Sequence, residues 1–294
     1  MNETLSAKLI VADDNLMFIE DQDSKKPLSG KHKHIYNTSG FLAGQSKYYL
    51  VEDNVEENGT IKPMMAIGEI GKGLITPYFH YISEYGLVSG ESDLFLAETI
   101  KDLSISQRIY SIERNKKTPA FEAVIYENGF IRNYSKYFAG KINKKWGLFN
   151  GEDALDGKII PIGGWFTEIY DFSPILYGTS NIFIARHEES CLVLQKTNNT
   201  VSLALDGQFN NVYVIVIDKK GKIERAVVEM NDQLLVIDDK NNIEYETHGE
   251  QDALYKTVQT IHESKVYEYA YNKDFHFYSN IFIRMWLFGK SEIK

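Results

Sequence analysis

Cysteine is almost missing from this chain. Cys191 is the only one in 294 residues, so no internal disulfide can staple the fold, and a reducing, cytoplasmic setting is expected. Long apolar runs are missing as well. Val212 to Ile217, six residues, compares with the ~20 that a membrane-spanning helix needs. The first fifteen residues carry Glu3, Asp13 and Asp14 and lack a basic segment followed by an apolar core, so they do not read as a signal peptide. An excess of positive charge is lacking too. Forty-one Asp plus Glu against 32 Lys plus Arg leave a net charge of −9, which disfavours a general polyanion-binding surface, and no direct nucleic-acid partner is expected. The chain is nevertheless not poor in core-forming residues. With 43% hydrophobic and 25% charged residues it is too apolar for disorder, and 19 Tyr and 16 Phe make it rich in aromatics.

What the chain does have is self-similarity. Ser92-Asp93-Leu94-Phe95-Leu96 returns as Ser180-Asn181-Ile182-Phe183-Ile184 and again as Ser279-Asn280-Ile281-Phe282-Ile283, at offsets of 88 and 99 residues. Gly40-Phe41-Leu42 followed by Ser46-Lys47-Tyr48-Tyr49 matches Gly129-Phe130-Ile131 followed by Ser135-Lys136-Tyr137-Phe138, at an offset of 89. Matches in one order at one spacing indicate internal repeats, here residues 1–103, 104–205 and 206–294. No Pro-rich or Gly/Ser-rich linker separates the copies, so a single body is expected. Short segments rich in β-branched and aromatic residues, bounded by Asn58-Gly59, Asn128-Gly129, Asp156-Gly157, Asp206-Gly207 and Lys220-Gly221, predict an all-β fold of repeated short antiparallel units, propeller-like or stacked. One helix is expected at Asp252 to Tyr267, where Leu254, Val258 and Ile261 fall at helical intervals. The stretch from Leu94 to Ile109 reads as strand because it contains the repeated string.

Lys145-Trp146-Gly147-Leu148-Phe149, then Asp156-Gly157-Lys158-Ile159-Ile160-Pro161, then Phe166-Thr167-Glu168-Ile169 and Ile182-Phe183-Ile184-Ala185 resemble a bacterial WG repeat, over residues 141–186. Lys72-Gly73-Leu74-Ile75-Thr76-Pro77 with Tyr81-Ile82 follows the same pattern without the tryptophan. The resemblance implies short β units in bacterial proteins, some of them immunity proteins of toxin systems. In such units Gly supplies positive φ, Pro ends pairing at an edge, and aromatics cover the neighbouring sheet. Trp146, Trp165 and Trp286 are accordingly expected in packing rather than on a ligand platform.

Catalytic signals are sparse. Gly68-Glu69-Ile70-Gly71-Lys72-Gly73 is neither a dinucleotide fingerprint nor a P-loop and reads as a turn between strands. His32-Lys33-His34 lacks the further ligands of a metal set and reads as solvated loop histidines. His187 and Cys191, beside Glu188 and Glu189, carry no hydrolase motif, and Cys191 reads as a lone thiol. No cofactor and no metal are expected. Charge is unevenly spread: residues 101–150 hold ten Lys plus Arg and four Asp plus Glu, whereas residues 224–250 hold eight acids and two bases. The acidic side chains Asp238, Asp239, Glu244, Glu246 and Glu250 are the candidate surface for a protein partner with a basic face, since such charges raise association rate.

The expectation is a non-catalytic, cytoplasmic protein-binding protein, most specifically an immunity protein that neutralises a cognate toxin. Alternatives are an inhibitor of a bacterial defence protein, as a phage would encode, a scaffold contacting several proteins, and a carbohydrate-binding protein or glycosidase with paired carboxylates in an aromatic cleft.

Overall fold

The computed structural model describes residues 6–36, 41, 45–125, 129–198, 200–218, 220–231, 233–246 and 268–271, with backbone alone at 234, 244–246 and 268–271. Among the described residues the chain is all-β, with six small antiparallel sheets. The first pairs β1 (Ala7–Val11) with β2 (Met17–Asp21). The second has β3 (His34–Ile35), β4 (Tyr48–Glu57), β5 (Thr60–Glu69) and β6 (Gly73–Leu74), each hydrogen-bonded to the next. The third repeats that meander with β7 (Tyr81–Ile82), β8 (Leu94–Lys101), β9 (Ser104–Ser111) and β10 (Lys116–Lys117). The fourth has β11 (Ala123–Val124), β12 (Tyr137–Ile142), β13 (Lys145–Asn150) and β14 (Ile162–Phe166). The fifth has β15 (Glu168–Ile169), β16 (Ile182–His187), β17 (Ser190–Thr197) and β18 (Thr200–Leu203). The sixth runs β22 (Ile243–Glu246), β21 (Gln233–Asp238), β20 (Ile223–Met230), β19 (Asn211–Ile217) and β23 (Glu268–Tyr271).

Two compact units divide the chain: residues 1–143 with 149–160, and residues 144–148 with 161–294. In the first unit, β4 shows why its apolar run does not alternate. Tyr49 and Val51 pack with Ala7, Ile19 and Ile35, whereas Tyr48 and Leu50 pack with Phe79, Ile82, Phe95 and Ala97. Both faces of the sheet are covered, so every position from Tyr48 to Val51 is buried. The same unit buries Leu94, Leu96 and Ile109 against Phe121, Val124, Phe138 and Phe149. The second unit buries Ile182, Ile184, Cys191 and Val193 against Val212, Ile215 and Ile217.

The strands that start at Tyr48, Leu94, Tyr137 and Ile182 lie 46, 43 and 45 residues apart. One sheet is therefore one repeat, and the ~89-residue period of the sequence spans two. Each of these strands is preceded by serine. The Ser46, Ser92 and Ser135 hydroxyls accept from the amides of Tyr48 (3.1 Å), Leu94 (3.0 Å) and Tyr137 (3.0 Å). Ser46 also donates to the Leu87 carbonyl (3.1 Å), Ser92 to that of Ile131, and Ser180 to that of Gly221 (2.6 Å), each about forty residues further on.

Asn58 and Gly59, both at positive φ, close β4 onto β5 as the Asn-Gly signal predicts. Gly68 to Gly73 turns β5 into β6, also as expected. Asp156-Gly157 behaves differently from a hairpin turn: it ends a one-turn helix, α1 (Gly151–Leu155), which Asn150 caps by accepting from the Glu152 and Asp153 amides. The expected helix at Asp252 to Tyr267 and the third-copy strand at Ser279 to Ile283 lie outside the described residues. Among the described residues no helix is long and apolar enough to cross a membrane.

Candidate functional site

Of the acidic candidates, Asp238 ends β21 and builds the turn that follows. Its carboxylate accepts from the Lys240 and Asn242 amides (2.9 and 2.8 Å) and the Asn242 side chain (2.7 Å). Hydrogen bonding from Asn242, against some desolvation, keeps its carboxyl below the ordinary value. Asp239 is exposed beside it. Glu244 and Glu246 fall on β22, where only the backbone is described, and Glu250 lies outside the described residues. In the basic segment, Arg114 pairs with Asp93 and Glu152, Lys116 with Asp156, and Arg132 with Glu91. Those acids all come from outside residues 101–150, so the excess counted along the chain overstates the free positive charge.

The repeats have a consensus of their own, and it locates a second site. Phe79, Phe121 and Phe209 each form an isolated bridge to the preceding sheet, at Met65, Gln107 and Cys191, and Phe166 pairs with Trp146. Each is followed three residues later by a buried aliphatic: Ile82, Val124, Val212 and Ile169. Three of these phenylalanines meet a second one on the next long strand. Phe79 lies 6.3 Å from Phe95, Phe121 5.4 Å from Phe138, and Phe166 5.8 Å from Phe183, ring centre to ring centre. In the first such position the pair is His32 and Tyr49, 6.2 Å apart, with His32 bridging to Met17 and followed by buried Ile35. A polar pair thus occupies a place that phenylalanine fills elsewhere in the same chain.

His32 is 6% exposed, which corrects its reading as a solvated loop residue. Its Nδ1 lies 2.7 Å from Asp53 Oδ2. Asp53 also accepts from the Tyr78 hydroxyl (2.7 Å) and the Lys33 amide (2.7 Å). Burial opposes ionisation of Asp53, yet donation from His32, the Lys33 amide and Tyr78 holds its carboxyl below the ordinary carboxylate value. Burial, then the hydrogen bond to Asp53 and its charge, push the Tyr78 phenol up to about 12. Tyr49 is fully buried, its hydroxyl has no partner among the described residues, and burial raises it to about 12. Its ring lies against Gly68, its cross-strand partner, where a Cβ would come within 2.1 Å of Cζ. An unsatisfied buried hydroxyl costs ~1 to 3 kcal/mol. Nearby, Tyr36 donates to Glu52 (3.2 Å) and meets His34 edge-on at 4.7 Å.

Asp53 stands where hairpin β4–β5 leaves the core. Its partner is Met64, the first buried residue of β5, and the four pairs beyond, from Asn54↔Pro63 to Glu57↔Thr60, project outward. Glu56 and Glu57 lie on this outer part opposite Ile61, which is 69% exposed, and Thr60. Hairpin β8–β9 projects beside it. His80 links the two: its Nδ1 accepts from the Ile100 amide (3.1 Å), and its Nε2 is 3.4 Å from Glu57 Oε2, off the hydrogen-bonding direction. At the tip of β8–β9, Asp102 and Leu103 both take positive φ, and Leu103 is 98% exposed. Ile100 and Ile105 sit opposite each other just behind it, Ile105 half-exposed. The second tip residue in the neighbouring hairpins is Gly59, Lys144 or Glu189.

Cys191 is buried, and desolvation raises its thiol to about 11, consistent with a lone inert cysteine. His187 lies next to the exposed turn joining β16 to β17. Trp146 is half-buried on β13, whereas Trp165 is 36% exposed, more open than the packing role predicts; Trp286 lies outside the described residues. Among the described residues no group of His, Cys, Asp and Glu has the makings of a metal site.

No protein-family model and no curated protein matches this chain. Among solved structures it is similar to a functionally unknown protein from Desulfotomaculum acetoxidans DSM 771, at 14% identity over 81% of this chain and 77% of that one, TM-score 0.31. It is also similar to a eukaryotic initiation factor, at 12% identity over 82% of this chain and 64% of that one, TM-score 0.33. A third similarity is to the Dos1 propeller, at 9% identity over 80% of this chain and 68% of that one, TM-score 0.29. Likenesses at this level assign neither a family nor an activity.

Proposed function

We propose that this chain is a non-catalytic protein-binding protein whose contact surface is the outer ends of hairpins β4–β5 and β8–β9 in its first unit. The observation that carries this reading is Leu103, a fully exposed apolar side chain held at a left-handed backbone position that ordinarily selects Gly or Asn. An apolar tip backed by Ile100 and Ile105 is poor for solubility and good as an anchor. The acids Glu56 and Glu57 on the outer part of β4 favour a partner with a basic surface. A cognate toxin bound and neutralised in the bacterial cytoplasm is the most specific form of this proposal, and it rests on the WG-repeat resemblance.

Affinity capture from host lysate at low and high salt, with wild type, Leu103→Asp, Glu56→Lys/Glu57→Lys and Asp239→Asn/Glu244→Gln/Glu246→Gln/Glu250→Gln, tests the reading. A basic protein held by wild type should be lost with Leu103→Asp and weakened by salt and by the charge variants. Retention unaffected by Leu103→Asp and by the β4 charge reversal would remove the hairpins from the interface, and loss with the carboxyl-terminal acid variant alone would move it to residues 239–250.

A further inference from the structure

We propose that His32 and Tyr78 are positioning residues which clamp Asp53 and thereby aim the outer half of hairpin β4–β5. Its role in partner binding rests on the proposed function, but the clamp itself does not. Three observations converge on it. First, His32 takes the place of phenylalanine in a repeat whose later copies fill that place with Phe79, Phe121, Phe166 and Phe209. A buried imidazole bonded to a carboxylate makes a poorer core filling than a ring of similar size, so stability alone does not account for it. Second, counting from the paired aromatics Tyr49, Phe95, Phe138 and Phe183, the position of Asp53 is taken by Thr99, Ile142 and His187 in the later long strands. The acid and its histidine occur together in one repeat. Third, that repeat has the longest hairpin, ten residues in each strand, against eight in β8 and β9 and six in β12 and β13.

The geometry says how the clamp acts. His32 precedes β3 and Tyr78 precedes β7, so Asp53 is gripped by two segments that are separate in the chain, at the last residue before the hairpin leaves the core. Lys33 adds its amide to Asp53 and its Nζ to Asn54 Oδ1 (3.0 Å), the first residue beyond. Without these bonds the four outer pairs would be held by their own ladder, by the Glu57 to Lys62 pair (3.0 Å) and by His80. A projecting two-stranded ribbon with so little support is marginal in water.

Hydrogen exchange of the full-length protein, comparing wild type, His32→Phe and Tyr78→Phe, tests the clamp. His32→Phe restores the repeat's own residue and should leave the protein folded with its melting temperature little changed, the ring's packing offsetting the lost bond, while amides of residues 54–62 exchange roughly ten- to hundredfold faster, the range set by losing one hydrogen bond to a charged group. Amides of Tyr48 to Val51 should keep their protection. Unchanged exchange in residues 54–62 of folded His32→Phe overturns the clamp. Should phenylalanine not fit at position 32, Tyr78→Phe decides: faster exchange confined to the outer hairpin supports the clamp, and wild-type exchange overturns it. Faster exchange with undiminished capture of a partner would leave the clamp standing and remove hairpin β4–β5 from the binding surface.

Discussion

The sheet β3–β6 and the sheet β7–β10 share one plan and differ in what they bury. In the second, Phe79 and Phe95 meet as two hydrocarbon rings, and Phe95 stacks on Tyr110 at 5.0 Å. In the first, His32 and Tyr49 stand at the corresponding contact, Tyr49 lies on Gly68 instead of a side chain, and Asp53 anchors the imidazole. Within one chain the phenylalanine version shows what packing alone requires. The difference marks the residues that serve something other than packing.

That contrast can be broken most severely on its apolar side. Phe138→Ala, in a fully buried Phe–Phe contact, should cost ~3 to 5 kcal/mol by urea unfolding, and a loss below ~1 kcal/mol would show that the ring pairs are not what holds the repeats. Gly68→Ala pushes a Cβ into the Tyr49 ring and should cost about 1 to 3 kcal/mol in wild type, but little when added to Tyr49→Ala, where the ring is gone. Tyr49→Phe removes the hydroxyl that lacks a partner among the described residues and should raise stability by about 1 kcal/mol, read as a higher urea midpoint at unchanged slope. Ser92→Ala removes a bond to the Ile131 carbonyl and should cost ~1 kcal/mol, as should Ser46→Ala, so a sharp difference between the two would show that the two sheets are not tied alike.

Acid provides the smallest and most local test. The folded-state value of Asp53 is depressed, so its contribution is present above the ordinary carboxylate value of 3.8 and is lost as pH falls through the folded value. Melting temperature should fall over that window in wild type, and Asp53→Asn should flatten the fall. An identical profile for both proteins would show that Asp53 is not linked to folding.

Much of the architecture was legible in the residue pattern. The Ser-x-aromatic or Ser-x-aliphatic strings at Ser46, Ser92, Ser135 and Ser180 do open the long strands, and the Asn58-Gly59 turn closes a hairpin. The repeat was legible at twice its true length for a chemical reason. Ser46-Lys47-Tyr48-Tyr49 resembles Ser135-Lys136-Tyr137-Phe138 more than it does Ser92-Asp93-Leu94-Phe95, so the strongest matches skip one sheet. The candidate site was hidden for another. His32 and Asp53 are 21 residues apart and belong to a motif whose other copies contain neither, so no local spacing connects them. Charge windows misled because partners such as Arg132 and Glu91, or Lys116 and Asp156, lie about forty residues apart, one repeat away.

The serine hydroxyls at the strand entrances have a further consequence for what each segment requires of the next. Ser46 reaches Leu87, Ser92 reaches Ile131 and Ser180 reaches Gly221, in these three cases a backbone carbonyl one repeat ahead. Because a carbonyl is present whatever the residue, each of these three contacts is compatible with any side chain at the position it reaches. The serine contact therefore puts no demand on the side chains of the segment ahead, whereas the His32 to Asp53 contact requires both residues.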